Sequence, residues 1–195
     1  MGGKLKYIGR HLMVKGEFVD EILSGRKRAT IRLGIWKPKF NELILHGGGR
    51  PFAIVRITDV EYKRVKDLTE EDARADGFNS MEELMRSLRR VYPHLNEEDY
   101  VTILKFQLIK KLTELDIRDP YMGLKPSEIA RLALRYLTDL SDEDKRIFKT
   151  LTETESLRET AIRLFGSISK RWIIRKKLKK ALNELIEKGL IGPKR

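Results

Sequence analysis

Gly25-Arg26-Lys27-Arg28-Ala29-Thr30-Ile31-Arg32 follows the stretch Glu17-Phe18-Val19-Asp20-Glu21-Ile22-Leu23-Ser24. Phe18, Ile22 and Leu23 fall at i, i+4 and i+5, so the first stretch reads as a helix with one apolar face. Gly25 supplies the left-handed residue that commonly ends a helix. With Ala29–Leu33 extended, Thr30 and Arg32 point to one side, and Ala29, Ile31 and Leu33 to the other. The apolar side can enter a core. A hydroxyl and a guanidinium then face outward beside Lys27, a combination that no folding requirement asks for. A concave surface of this kind suits a phosphate, a carboxylate or a polarised carbonyl.

The spacing Gly25-x-Lys27-x-x-Thr30-x-Arg32 resembles the signature of ASCH domains, small β-barrels related to the PUA fold of RNA-binding proteins. The usual signature carries glutamate where this chain has Thr30. Threonine there is similar to the branch that hydrolyses N4-acetylcytidine. Further along, Leu68-Thr69-Glu70, Met81-Glu82-Glu83-Leu84, Val91-Tyr92-Pro93 and Tyr100–Phe106 agree with that branch in order and spacing, over roughly residues 10–108. The resemblance implies a catalytic trio of Thr30 as nucleophile, Lys27 as base and an acid in the helix after a long strand. Aligning Leu68-Thr69-Glu70 puts Asp76 at the acid's position, where the branch has glutamate. Aspartate is one methylene shorter, and misplacing a catalytic group by ~1 Å can cost around a hundredfold. Arg26, Arg28 and Arg32 are the candidate ligand-binding cations, and would also depress the lysine pKa as a base requires.

The 195 residues carry a formal net charge of +12, with 41% hydrophobic and 36% charged residues and no cysteine. Disulfides and thiolate metal sites are excluded, and three scattered histidines do not suggest a metal site. No cofactor is implied. No apolar run approaches the roughly 20 residues of a membrane span, and the start lacks a signal-peptide pattern, so a soluble cytoplasmic protein is expected. One glutamine and four asparagines against abundant Lys, Arg and Glu fit a thermophile composition. The charge is uneven: residues 1–110 carry +5, 111–156 carry −2 and 157–195 carry +9. A merely solvated thermophile surface would intersperse both signs, so the last segment is a candidate polyanion-binding face.

Pattern divides the chain into residues 1–110, a linker over 111–125 with Asp119-Pro120 and Gly123, and residues 126–195. The first part reads as strands at His11–Lys15, Ala29–Leu33, Leu43–Leu45, Phe52–Tyr62 and Tyr100–Leu108, with capping-box helix starts at Thr69 and Ser80. The last part is helical throughout, with a final helix over Lys170–Lys188 whose apolar stripe includes Trp172, Ile173, Leu178, Ala181, Leu182, Leu185 and Ile186. Two helices joined at Gly166-Ser167-Ile168-Ser169 resemble a helix-turn-helix, and no wing hairpin is expected after Gly192. The fold class expected is α+β, a PUA-like ASCH barrel followed by an all-α helix-turn-helix-like domain.

Lys170, Arg171, Arg175, Lys176, Lys177, Lys179 and Lys180 are the candidate nucleic-acid contacts on the final helix. The expected partners are RNA or a modified nucleoside at the barrel, with DNA a further candidate for the helical part and no membrane. Trp36, Tyr62 and Tyr92 are aromatics able to stack on a base, although each also suits a core. Three functions stay open on these residues: nucleic-acid binding through both parts, N4-acetylcytidine hydrolysis at Lys27, Thr30 and Asp76, and DNA-binding regulation.

Overall fold

A computed structural model of the chain describes residues 5–115 and 119–192, so part of the expected linker (116–118) and the terminal cations Lys194 and Arg195 lie outside the described residues. The chain divides into two compact units, Met1–Leu112 and Thr113–Arg195.

In the first unit, seven strands carry the architecture: β1 (Lys6–Ile8), β2 (His11–Met13), β3 (Ala29–Leu33), β4 (Trp36–Pro38), β5 (Glu42–Gly47), β6 (Arg50–Arg64) and β7 (Tyr100–Lys111). Five of them form one sheet in the order β2-β5-β6-β7-β3, and β1 pairs with β4 separately. The expected barrel is therefore a curled half-barrel, with β2 and β3 as its edges. The long strand expected at Phe52–Tyr62 extends to Arg50–Arg64, and shifts in its register against β7 at Ile54/Val55 and Ile57/Asp59 mark bulges that bend it. Strands β1 and β4 have no counterpart in the sequence pattern. Each is three residues long, too short for a period to register.

Alternation on β7 covers both faces of the sheet. Leu104 and Phe106 join a core with Leu12, Ile22, Leu43, Leu45 and Phe52. Val101 and Ile103, of opposite parity, join Ala29, Ile31, Leu84 and Leu88. Three helices close over these clusters: α1 (Val19–Leu23, after a 3-10 turn at Gly16–Phe18), α2 (Glu70–Ala75) and α3 (Met81–Val91). Thr69 and Asp72 form a reciprocal capping box at the start of α2, and the Ser80 hydroxyl accepts from the Glu83 amide at the start of α3.

The second unit contains α4 (Pro126–Tyr136), α5 (Asp142–Thr154), α6 (Leu157–Phe165) and α7 (Arg171–Glu187), the last preceded by a 3-10 turn at Ile168–Lys170. Pro126 starts α4, while Ser141 and Ser156 cap α5 and α6. Gly166, at φ 68°, ends α6 in the left-handed conformation. The core is built from Ile129, Leu132, Ile147, Phe148, Leu151, Ile174, Leu178, Leu182 and Leu185. One expectation is corrected here. Trp172 does not belong to the buried stripe of α7; it is 58% exposed, and Ile174 is buried instead. Two residues along a helix turn the side chain by about 200°, so these two point to opposite sides.

Gly47 tests the packing of the half-barrel. A Cβ there would sit 2.6 Å from Val19 Cγ2 and 3.3 Å from Phe52 Cε1. Overpacking of this kind typically costs about 1–3 kcal/mol. Thermal unfolding of Gly47→Ala is expected to show a lower Tm than that of Gly9→Ala, whose glycine has nothing within 4 Å of an added Cβ and no left-handed φ. Equal midpoints would contradict the close approach.

Candidate functional site

Backbone hydrogen bonds bring the signature segment against the end of α2. The Lys27 amide donates to Glu21 O at 2.9 Å, tying the turn after Gly25 (φ 79°) back to α1. The Arg28 amide then donates to Ala75 O at 2.7 Å, one residue before Asp76. Asp76 caps α2, and Gly77 follows at φ 88°. A Cβ on Gly77 would lie 3.2 Å from Lys27 Cβ, so glycine admits the lysine stem as well as the backbone conformation.

The Lys27 ammonium is buried at the end of this path, and its hydrogen-bond partners are both on Asp76. It donates to the main-chain oxygen at 2.6 Å and forms an ion pair with the Oδ1 carboxylate oxygen. Lys27 and Asp76 are 3% and 5% exposed. The ammonium also sits 4.4 Å from the centre of the Phe18 ring, which meets Phe78 edge-on at 5.5 Å. The shorter aspartate therefore reaches the lysine, because the end of α2 is drawn onto the turn.

Burial governs the electrostatics. It pushes the Asp76 carboxyl up to about 6, against the opposing pull of Lys27, the Ile31 amide and Arg32. Burial likewise lowers the Lys27 pKa, which Asp76 opposes and the cations Arg32 and Lys15 reinforce. Burial also lowers the Arg32 pKa. Burial thus disfavours both the Lys27 ammonium and the Asp76 carboxylate, and their mutual attraction opposes it.

Lys27, Thr30, Arg32 and Asp76 line one pocket of about 210 Å³, walled by Phe18, Phe78, Leu88, Tyr92 and Met13 among others. Thr30, 9% exposed, faces inward from β3 opposite Leu104. Its hydroxyl is not hydrogen-bonded to Lys27. Arg32 donates from Nη2 to Met13 O at 2.8 Å, and its Nε is buried with no hydrogen-bond partner. The hydroxyl and guanidinium expected on an outward face thus turn into a recess.

The other two candidate ligand cations lie elsewhere. Arg26 is exposed and ion-paired with Glu21, and Arg28 is exposed. Both line a second hollow of about 420 Å³ with Arg74, Gly77, Phe78 and Asn79. Phe78 belongs to both hollows, and Arg74 is a contributor the sequence reading missed. A lone arginine on the polar side of a six-residue helix gives no periodic signal. Tyr92 partly packs against the core and also lines the first pocket. Trp36 donates from Nε1 to Leu33 O, and Tyr62 donates its hydroxyl proton to Trp36 O; neither lines either hollow.

Lys170, just before α7, and Arg175, Lys176, Lys179 and Lys180 on it are exposed, and Arg171 is half-buried with its Nε donating to Ile168 O at 3.2 Å. Lys177 is corrected out of the free basic face. It turns toward α5, where its ammonium lies 2.8 Å from Glu143 and 2.9 Å from Asp144. Among the described residues, no group of three or more His, Cys, Asp or Glu side chains is arranged to hold a metal ion, and no helix is long and apolar enough to cross a membrane.

Removing Lys27 should expose the cost of this arrangement. Asp76 has a folded pKa above its unfolded value, so its contribution to stability is full below about pH 4 and is lost as pH rises through about 6. Without the lysine the carboxylate is harder still to ionise. Lys27→Ala should be destabilised by about 3–5 kcal/mol at neutral pH, with the deficit growing above pH 6. Lys27→Ala/Asp76→Asn should recover part of it. Chemical denaturation across pH 4–8 measures this, and a pH-independent deficit would count against the buried pair.

Three comparisons bear on the family. The ASCH domain family model matches residues 6–110. An ASCH domain from Lactobacillus crispatus is similar at 18% identity, covering 53% of this chain and 79% of its own, with a TM-score of 0.45. An ASCH protein from Zymomonas mobilis is similar at 14% identity, covering 71% of this chain and 91% of its own, with a TM-score of 0.46. No curated protein matches the sequence. Matched over more than half its length by the family model, with Gly25, Lys27, Thr30 and Arg32 inside the match, this chain belongs to the ASCH domain family.

Proposed function

We propose that the protein acts on nucleic acid, with the ASCH pocket receiving a single nucleobase or modified nucleoside of RNA and the second unit holding phosphates through α7. The buried, partnerless Arg32 Nε beside the Lys27–Asp76 pair carries this reading. A buried donor without an acceptor costs about 1–3 kcal/mol, so a ligand that supplies the acceptor is favoured at that spot. The pocket offers donors from Arg32 and Lys27, an acceptor from Asp76 and aromatic walls from Phe18, Phe78 and Tyr92. A base edge combines acceptors and donors on a flat apolar ring, and that is the chemistry this lining complements. At about 210 Å³ the pocket falls below the roughly 300 Å³ at which drug-sized sites begin, so it suits one base rather than an oligonucleotide. The unpaired cations Arg28 and Arg74 rim the adjoining hollow, where flanking phosphates would run. In the second unit, the Gly166 joint between α6 and α7 supports a helix-turn-helix reading, and a regulator that binds duplex DNA is the version in which α7 enters a groove.

A second reading is favoured by Thr30 sharing the pocket with Lys27 and Asp76: hydrolysis of the acetyl amide of N4-acetylcytidine. Lys27 first passes a proton to Asp76, whose raised pKa eases the transfer, and becomes a neutral amine. The amine takes the Thr30 proton as Oγ1 bonds to the acetyl carbon, and returns it to the departing cytidine nitrogen. Water then cleaves the threonyl ester, releasing acetate and restoring Thr30.

Calorimetric titration with cytidine and N4-acetylcytidine, beside an acetate-release assay, tests both readings. Binding is expected to weaken by about tenfold in Arg32→Ala. If the hydrolytic reading holds, Thr30→Ala binds the acetylated nucleoside but releases acetate at least about a hundredfold more slowly. Acetate release by wild type at the same rate as by Thr30→Ala would remove the hydrolytic reading. No binding of either nucleoside, free or within a short RNA, would remove the pocket reading.

A further inference from the structure

The exposed Trp172 stands at the N-terminal end of the cationic face of α7. Trp172, Arg175, Lys176 and Lys179 follow i, i+3, i+4 and i+7, which places them on one side of a helix. All four are exposed, the indole at 58%. The opposite side is occupied, since Ile174, Leu178, Ala181, Leu182 and Leu185 are buried in the core of the unit. No carboxylate occurs in the sequence between Glu159 and Glu184, so nothing along this stretch offsets the positive charge. Lys177, whose ammonium pairs with Glu143 and Asp144, is turned to α5 and away from this face.

A large indole left in water amid lysines and arginines serves no packing purpose. An exposed indole among cations combines a flat stacking surface with positive charge, the pairing by which single-strand binders hold bases and phosphates. The cations specify a polyanion. A membrane surface would need the apolar stripe of α7, which is spent on the core. A duplex would present its phosphates but keep the faces of its bases stacked and out of reach. A single strand offers both phosphates for Arg175, Lys176 and Lys179 and an unstacked base for the indole. We infer that the Trp172-bearing face of α7 binds single-stranded nucleic acid, with a base stacked on Trp172 and the strand's phosphates along Arg175, Lys176 and Lys179. The inference rests on the phosphate-binding reading of the second unit and narrows it from any polyanion to a strand with accessible bases.

The test is a titration of the full chain with a labelled single-stranded pyrimidine oligonucleotide of roughly ten nucleotides and with a duplex of the same length, at several salt concentrations. The single strand is expected to bind more tightly than the duplex. Loss of one stacked base is expected to cost about tenfold or more in single-strand affinity for Trp172→Ala, with Trp172→Phe close to wild type and duplex affinity unchanged. Five exposed cations (Lys170, Arg175, Lys176, Lys179 and Lys180) set an upper salt slope of about −3.5 for log K against log salt. If Trp172→Ala leaves single-strand affinity unchanged while Lys176→Glu/Lys179→Glu weakens both ligands, the stacking inference falls and the phosphate reading survives. If the duplex binds as tightly as the strand, or anionic lipid vesicles bind more tightly than either, the inference is likewise overturned. If neither nucleic acid binds, both readings fall together.

Discussion

A lysine ammonium held out of water against one aspartate organises the first unit around its pocket. The pair exists because two main-chain hydrogen bonds, Lys27 to Glu21 and Arg28 to Ala75, pull the turn after α1 onto the end of α2. Gly25 and Gly77 make the approach sterically possible. The same edge strand then carries Thr30 and Arg32 into the recess. Desolvation keeps both charges of the pair uneasy, and an uneasy pair is able to exchange a proton or to bind a polar ligand that shares its charge. Stability gains little from such a pair, because its desolvation cost offsets most of its Coulomb attraction.

Much of this was legible before coordinates. The Gly-Lys-Thr-Arg spacing marks the turn and strand, and alternation marks β3, β6 and β7, because each of these is long enough to show its period. The position of Asp76 emerged only from alignment with a resembling branch, and its reach could not be judged, since a methylene's length matters only once the distance between α2 and the turn is fixed. Arg74 carried no signal. The exposure of Trp172 was misjudged for a different reason. Trp172, Ile173 and Ile174 are consecutive, so the sequence offers an apolar residue to more than one face there, and only the packing of α7 against its unit selects Ile174 over Trp172.

The two units show different electrostatic strategies. At the pocket of the first, the charges of Lys27 and Asp76 are buried, so each is sensitive to its partner. In the second, α7 carries most of its cations in water, where pairwise energies are small and only their summed field extends to a distance. Lys177 shows the boundary between the two: a carboxylate pair on α5 takes it out of the field.

Carbon-detected NMR of the Asp76 side-chain carboxyl, followed from pH 3 to 9, tests the central claim most directly. The account predicts a midpoint of about 6, moving higher when Lys27 is replaced by methionine. A midpoint at the ordinary aspartate value, unmoved by that replacement, would mean that water reaches the carboxylate and that no dry lysine–aspartate pair lies at the pocket floor.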